Sequence, residues 1–321
     1  MSLQIDNSRD RYNQIWRPRQ SLVNYFLNNN AATTENLLRL LELIRRYDYD
    51  LSFTLSREPD ALANIDWASF LRDVDRSKHF SRLFVRNKSI VVPGSRKNGI
   101  FASFCRSFIA QSDPKGTSLF FDIGCGTGNW LFEFLVLEGR SAAPMCGIDL
   151  SETAVETASS ISDWMGFEQF SFSVDNRAKP ASTQIDCGGR DVVFFSISVL
   201  NKIRTLDSAV FQILQSRIRN HGRVRFVHIE SFGWQVYRDK KINAFFAEMD
   251  QTINDLGGVE RGILRQQIQE NERSEATDNL NLAKVIQNNV ETGILEINFF
   301  QAHAIALRAE KPYSVVTLTL A

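Results

Sequence analysis

Net charge, paired cysteines and long apolar runs are all missing from this chain. Lysine and arginine together number 37, and so do aspartate and glutamate. No overall field therefore marks the protein out for a polyphosphate partner or an anionic membrane surface, although a local basic patch stays open. The four cysteines, Cys105, Cys125, Cys146 and Cys187, lie far apart and form no CxxC pair. That spacing argues against a structural zinc site and against a dense disulfide framework, so no metal centre is expected and reduced thiols in a cytoplasmic protein fit best. The opening segment MSLQIDNSRDRYNQIWRPRQ is polar and has no apolar core of secretory length. No stretch approaches the roughly 18 apolar residues of a membrane span, so neither export nor a membrane partner is expected. No internal repeat is present.

What the chain does have is enough apolar material for a large core: 321 residues, 43% of them hydrophobic, which predicts one or two domains. Residues 1 to about 115 read as a helical region that serves as a lid or substrate-binding element. ATTENLLRLLELIRRYDYD sets Leu37, Leu40, Leu41 and Ile44 on one face behind Thr33 or Thr34 as N-cap, with Arg45 and Arg46 at the end that the helix dipole makes negative. IDWASFLRDV predicts a second helix. GIFASFCRSFIAQS predicts a third, with Phe101, Phe104, Cys105 and Phe108 at helical spacing; these aromatics read first as core.

From Leu119 the texture changes to short apolar runs alternating with longer amphipathic stretches. Strands are predicted at LFFDIG, PMCGIDL, FSFSVD, DVVFFSIS and RVRFVHIE, with helices at about 128–138, ETAVETASSISDWM and TLDSAVFQILQSRI. Such alternation predicts an α/β fold with a mainly parallel sheet covered on both faces. Residues from about 235 to 293 depart from the alternation as a polar, helix-prone insertion, in which QENERSEATDNLN looks solvated. LEINFFQAHAIALRAE and SVVTLTLA predict a closing hairpin, and hence an antiparallel strand at the end of the sheet.

The stretch LFFDIGCGTGNW puts three glycines, Gly124, Gly126 and Gly128, directly after a buried strand. Glycine there lets the backbone turn sharply and approach a ligand, and the following helix offers its unpaired N–H groups. A dinucleotide fingerprint would need a third glycine at 129, where the sequence has Asn129. A phosphate-binding P-loop would need GK[ST], which does not follow. What stands here is GCGTG, preceded by Asp122.

This pattern resembles the first motif of the class I S-adenosylmethionine-dependent methyltransferases, an acidic residue followed by GxGxG at the end of the first strand. GIDLS places Asp149 at the end of the second strand, where the family's acid accepts from the ribose hydroxyls. SVDNR places Asp175 and Asn176 at the end of the third, where the family holds the adenine edge. The resemblance spans about 116–235 and 294–321. It implies a Rossmann-like, doubly wound, seven-stranded sheet with an antiparallel last strand in a domain over 116–321, and S-adenosylmethionine as cofactor, left as S-adenosylhomocysteine. It further implies that Asp122, Gly124, Cys125, Gly126, Gly128, Asp149, Leu150, Asp175, Asn176 and Ser196 line that cofactor. Alternatives stay open for the acids: Asp122 as a cap on the turn's own N–H groups, Asp149 as a helix N-cap, and Asp175 as an ordinary loop aspartate.

A sulfonium cofactor carries a cationic head and needs no phosphate cradle; its ribose needs acceptors and its ammonium a carboxylate. Methyl transfer from it is an in-line displacement, so the protein must align the nucleophile, exclude water and supply a base only where a proton has to leave. The places to look lie beyond the fourth and fifth strands: Ser196, Ser198 and Asn201, then Glu230 and Ser231. Glu230, at the open end of its strand, is the candidate base or substrate anchor, with Asn201 beside it. His228 and His303 read as core histidines, and Trp234 and Tyr237 either wall a pocket or pack on the sheet. Arg96 and Lys97 are candidates for the methionine carboxylate. No NPPY, DPPY or Pro-Cys follows the fourth strand, which sets aside the family's adenine, glutamine-amide and cytosine-C5 methylating members. The basic clusters RDRYNQIWRPR and SRKNG read as solvated faces, so nucleic acid is not expected as a partner. The function expected is methyl transfer to an oxygen or nitrogen of a small-molecule acceptor, beneath a lid of the N-terminal helices and the insertion. A nucleic-acid or protein methyltransferase, and a non-catalytic binding protein of the same fold, are the alternatives.

Overall fold

Every residue of Leu119–Ile123, Met145–Asp149 and Val192–Ile197 is buried, which is what strands covered on both faces require. The computed structural model describes residues 3–46, 80–85, 88–139, 143–174, 184–250, 279–306 and 313–321, with isolated positions at 253, 262 and 269. The chain opens with helices α1 (Leu3–Asn29) and α2 (Thr34–Arg46), strands β1 (Phe80–Val85) and β2 (Lys88–Pro93), and helix α3 (Gly94–Gln111). The alternating part follows: β3 (Leu119–Ile123), α4 (Asn129–Leu137), β4 (Met145–Asp149), α5 (Glu152–Met165), β5 (Phe170–Val174), β6 (Ile185–Asp186), β7 (Val192–Ile197), α6 (Val210–Gln215), β8 (Ile218–Arg219) and β9 (Val224–Glu230). A 3-10 turn, Leu200–Lys202, follows β7, and the chain ends with α7 (Gly233–Arg238), α8 (Lys240–Ala247), α9 (Leu282–Glu291), β10 (Leu295–Ala306) and β11 (Tyr313–Leu320).

The main sheet runs β2-β1-β10-β11-β9-β7-β3-β4-β5. Strands β5, β4, β3, β7 and β9 are mutually parallel, while β11 and β10 pair antiparallel beyond them. These seven are the expected doubly wound sheet with its antiparallel last strand. Its order reverses at β3, between β4 and β7, and the crevice beyond those strand ends is where such sheets bind ligands. The two-residue period of a strand divides the apolar residues between two cores. Phe121, Ile148, Phe194 and Phe226 face α6, α7, α8 and α9. Phe120, Met145, Phe195 and Val227 face α3 and α4.

Strands β1 and β2 were not expected, because residues 1–115 read as helical. They form an antiparallel hairpin, and Phe84 and Val85 pair with Ala306 and Ile305 of β10. In isolation FSRLFV and KSIVVP each bury little: Leu83 and Val92 are buried whereas Ile90 and Val91 are exposed. Their strand character comes from the exposed edge of β10, which supplies hydrogen-bonding partners that no local pattern announces. The predicted helix at IDWASFLRDV lies outside the described residues.

Helix α2 follows its sequence closely. Thr33 caps it, accepting from the Asn36 N–H at 3.2 Å, and Leu37, Leu40, Leu41 and Ile44 are buried against Val23 and Phe26 of α1 and Phe132 of α4. Helix α5 is capped at one end by Ser151, which accepts from the Ala154 N–H, and stopped at the other by Gly166 in the left-handed region. Among the described residues no helix is long and apolar enough to cross a membrane, and no group of His, Cys, Asp or Glu side chains is placed to hold a metal ion. All four cysteines are buried free thiols, and burial pushes the Cys146 thiol up to about 12, which makes it inert as a nucleophile.

Candidate functional site

The turn after β3 is held open by backbone conformations that only glycine adopts readily: Gly124, Gly126 and Gly128 have φ of 74°, 53° and 77°. Their roles differ. Gly124 and Gly126 line a cavity of about 540 Å³ together with Cys125, Thr127, Asn129 and Asp149. Gly128 instead starts α4, and a Cβ there would lie 2.9 Å from Phe132 and 3.0 Å from Phe172, so its smallness serves close packing of helix against strand. A fourth glycine, Gly147 in β4, was not singled out by the sequence. A Cβ on it would stand 2.8 Å from both Cys125 Sγ and Phe172, so it lets the turn pass beneath β4. A glycine at the centre of an otherwise apolar strand was the signal that could have found it.

Asp149 braces the turn. Its Oδ2 accepts from the Gly126 N–H at 3.1 Å and its Oδ1 from the Ser151 N–H at 2.9 Å. A carboxylate offers about four lone-pair sites, so this one retains acceptor capacity towards the cavity it lines. Ser151, not Asp149, caps α5. Asp122 is buried and Leu150 half-buried, and neither is part of the cavity lining. Asp175 and Asn176 lie outside the described residues, as do the side chains of Asn201, Arg96 and Lys97.

Helix α1 closes one side. A Cβ on Gly126 would fall 2.6 Å from the Trp16 ring, so the indole rests directly on the glycine turn. Arg19 lies over the same indole at 4.5 Å and donates to the Ile15 carbonyl at 2.7 Å. Asn13 Oδ1 accepts from the Ser151 hydroxyl at 2.8 Å. The other walls come from Ile44 and Arg45 of α2, Asn98 and Phe101 of α3, Trp130 of α4, Ile197 at the end of β7, and Ser198, Val199 and Lys202 after it. Arg45 lies over the Trp130 ring and is paired with the buried Glu133, which Arg106 shares from the other side. None of the lining residues comes from α7, α8 or α9. The described parts of the insertion dock on the sheet and on the loop after β7: Gln235 donates to the Asn279 carbonyl at 2.7 Å, and Asn279 donates to the Ile203 carbonyl at 2.6 Å. Trp234 is buried and Tyr237 packs on His303, so neither walls the cavity.

The residues expected to carry chemistry are arranged differently from the sequence expectation. Glu230 is fully buried; its carboxylate accepts from the Ser196 hydroxyl at 2.6 Å and from the Val199 and Leu200 N–H groups at 2.9–3.0 Å. Because those donors satisfy it inside the protein, Glu230 is a brace for the turn and is absent from the cavity lining that a base would occupy. Ser196 is likewise fully buried, bonded to Glu230 and to His228 Nδ1, and does not reach the cavity. Since the single Ser196 proton goes to Glu230, His228 donates from Nδ1 and is neutral; burial lowers it to about 3.

The braced turn presents Ser198 in place of Ser196. Ser198 has a φ of 58°, an uncommon conformation for a residue with a Cβ. It is held by its N–H bond to the Ile229 carbonyl and by the Glu230 bonds to the two residues after it. Strain of this kind gathers where geometry serves a site. Tyr313, from the start of β11, donates to the Ser198 hydroxyl at 3.4 Å. The sequence placed Tyr313 in the final hairpin, and nothing there marked it as a neighbour of residue 198.

A family model described as a methyltransferase domain matches residues 115–289. Comparison with curated proteins gives no match. Among solved structures, magnesium protoporphyrin IX methyltransferase from Synechocystis PCC 6803 with bound S-adenosylhomocysteine is 14% identical, covering 87% of this chain and 99% of its own, at a TM-score of 0.43. Geranyl diphosphate C-methyltransferase from Streptomyces coelicolor A3(2) is 11% identical, covering 70% and 78%, also at 0.43.

Proposed function

The chain belongs to the methyltransferase-domain family, and from that premise we propose that it transfers a methyl group from S-adenosylmethionine to an oxygen or nitrogen of a small molecule, leaving S-adenosylhomocysteine. When bound, the cofactor supplies a methyl group made electrophilic by its sulfonium. The chain's own residues do the rest. Gly124 and Gly126 let the backbone approach without a side chain in the way, and Asp149 keeps acceptor capacity on the cavity side for ribose hydroxyls. Trp16 and Trp130 supply apolar walls that exclude water. Ser198, backed by Tyr313, offers a hydroxyl to orient the acceptor.

The observation that carries a small acceptor is the roof. Helices α1, α2 and α3 place Trp16, Arg19, Ile44, Arg45, Asn98 and Phe101 over the strand ends, and the cavity of about 540 Å³ that remains falls in the range of small-ligand sites, roughly 300–1,000 Å³. Neither a membrane nor a nucleic acid belongs to this reading. Calorimetric titration with S-adenosylhomocysteine is the test: binding is expected, and Asp149→Ala should weaken it about tenfold or more, the loss of two charge-assisted bonds. Equal binding by that variant would refute the assignment of the acid. RNA binding with a steep salt dependence would refute the small-molecule acceptor.

A further inference from the structure

Resting on the reading above, we infer that Asn13 is a positioning residue for the cofactor: from α1 it fixes Ser151, and through Ser151 it holds the Asp149 carboxylate at the angle that the ribose hydroxyls need. Asn13 and Trp16 are three residues apart in a helix, so they project from the same face of α1. Both reach the site. The Trp16 ring lies against Gly126, while Asn13 Oδ1 accepts from the Ser151 hydroxyl at 2.8 Å and from the Thr153 N–H at 3.5 Å. Between those two points Asp149 forms the bridge, accepting from the Ser151 N–H on Oδ1 and from the Gly126 N–H on Oδ2. The contacts close a ring: Asn13, Ser151, Asp149, Gly126, Trp16, and back along one turn of α1.

The start of α5 explains why a side chain from another helix is wanted there. The first N–H groups of a helix lack partners within it. Ser151 serves one of them, accepting from the Ala154 N–H at 3.2 Å, and Asn13 serves another, that of Thr153. A serine hydroxyl has a single proton, and here it goes to Asn13. The Ser151 side chain is therefore held from both directions, and its backbone N–H is kept aimed at Asp149. Asn13 itself is half-buried and outside the cavity lining, so its influence on a ligand passes through these bonds. It is not what anchors α1: Val23 and Phe26 are buried with α2, Phe26 meets Trp164 edge-on, and Gln20 donates to Glu156 of α5 at 3.3 Å. Pro18 separates that anchored half from the turn bearing Asn13 and Trp16. Because proline has no N–H, the ladder bond to the Gln14 carbonyl is missing, and the Asn13 bonds to α5 hold the earlier turn against the site.

The test is a double-mutant cycle, read by calorimetric titration of the full-length protein with S-adenosylhomocysteine. Asn13→Ala is expected to weaken binding about fivefold in the otherwise native protein and by less than about twofold when Asp149 is already alanine, because the carboxylate that Asn13 positions is then gone. Asn13→Asp, which keeps an accepting oxygen at the start of α5, should restore affinity to within about twofold of the native protein. Equal losses in the two backgrounds overturn the proposal, since Asn13 would then act on binding without Asp149. Unchanged affinity in Asn13→Ala overturns it too, as does an Asn13→Asp variant that binds no better than Asn13→Ala. If S-adenosylhomocysteine does not bind the native protein, or binds Asp149→Ala equally well, the failure belongs to the methyltransferase reading and its acid instead.

Discussion

Replacing Glu230 by alanine would strand the Val199 and Leu200 N–H groups and the Ser196 hydroxyl inside the protein. The expected cost is roughly 3 kcal/mol in urea unfolding, the loss of bonds to a buried charged acceptor. Glu230→Gln keeps one acceptor oxygen and should recover about half. If Glu230 were a general base, the glutamine variant would instead retain stability and lose methyl transfer with a changed pH profile. Gly147→Ala tests the glycine that only the structure picked out: its methyl would meet Cys125 and Phe172, and destabilisation of about 1–3 kcal/mol is expected from overpacking. Two buried histidines set the acid limit. Burial lowers His228 to about 3 and His303 to about 4, so below the ordinary value near 6.5 the unfolded chain binds protons that the native state refuses. Stability is therefore fully present above about pH 6.5 and falls with pH by about 1.4 kcal/mol per unit for each histidine, down to those lowered values. Chemical denaturation at pH 7.5 and 5.5 should show the fall, and His228→Asn should reduce its slope by about half. The sharp glycine turn after β3 and the acid at the end of β4 were legible at this scale because strand-end position and residue type suffice to locate them; which of the glycines faces the cavity was not. Glu230 was misread because its partners, Ser196 and Val199, are more than thirty positions away.

At the scale of elements, α1 is both a packing helix and part of the site. Its buried Val23 and Phe26 join the α2 cluster, while Trp16 about two to three turns earlier covers Gly126. Trp16→Ala is expected to weaken S-adenosylhomocysteine binding about fivefold or more by opening that wall to water, with little change in unfolding free energy because the ring is only half-buried. Unchanged affinity would mean that α1 serves packing alone. Helices α2 and α5 were legible from their one-sided patterns, α2 together with its Thr33 cap. The β1–β2 hairpin was not, because its stability comes from the β10 edge. The insertion reads as polar and helix-prone, and among its described residues α7, α8 and α9 bury Val236, Phe246 and Ile286 in the core of one sheet face. Their apolar stripes are short, and the sheet face that covers them is remote in sequence.

For the whole molecule, cofactor binding and global stability are linked. If S-adenosylhomocysteine binds only the native state, a hundredfold excess over its dissociation constant should add about 2.7 kcal/mol to the unfolding free energy, and Asp149→Ala should gain less at the same concentration. Thermal or denaturant unfolding with and without the ligand measures both. The sequence by itself determined the sheet, its parallel core and antiparallel end, and the glycine turn with its acid, because strand periodicity and glycine's conformational freedom are properties of adjacent residues. Only the tertiary structure decided what faces the cavity. Whether a carboxylate is a brace or faces the cavity, and which of Ser196 and Ser198 lines it, depend on distances between segments far apart in the chain, and those are fixed when the sheet brings its strand ends together beneath the N-terminal helices.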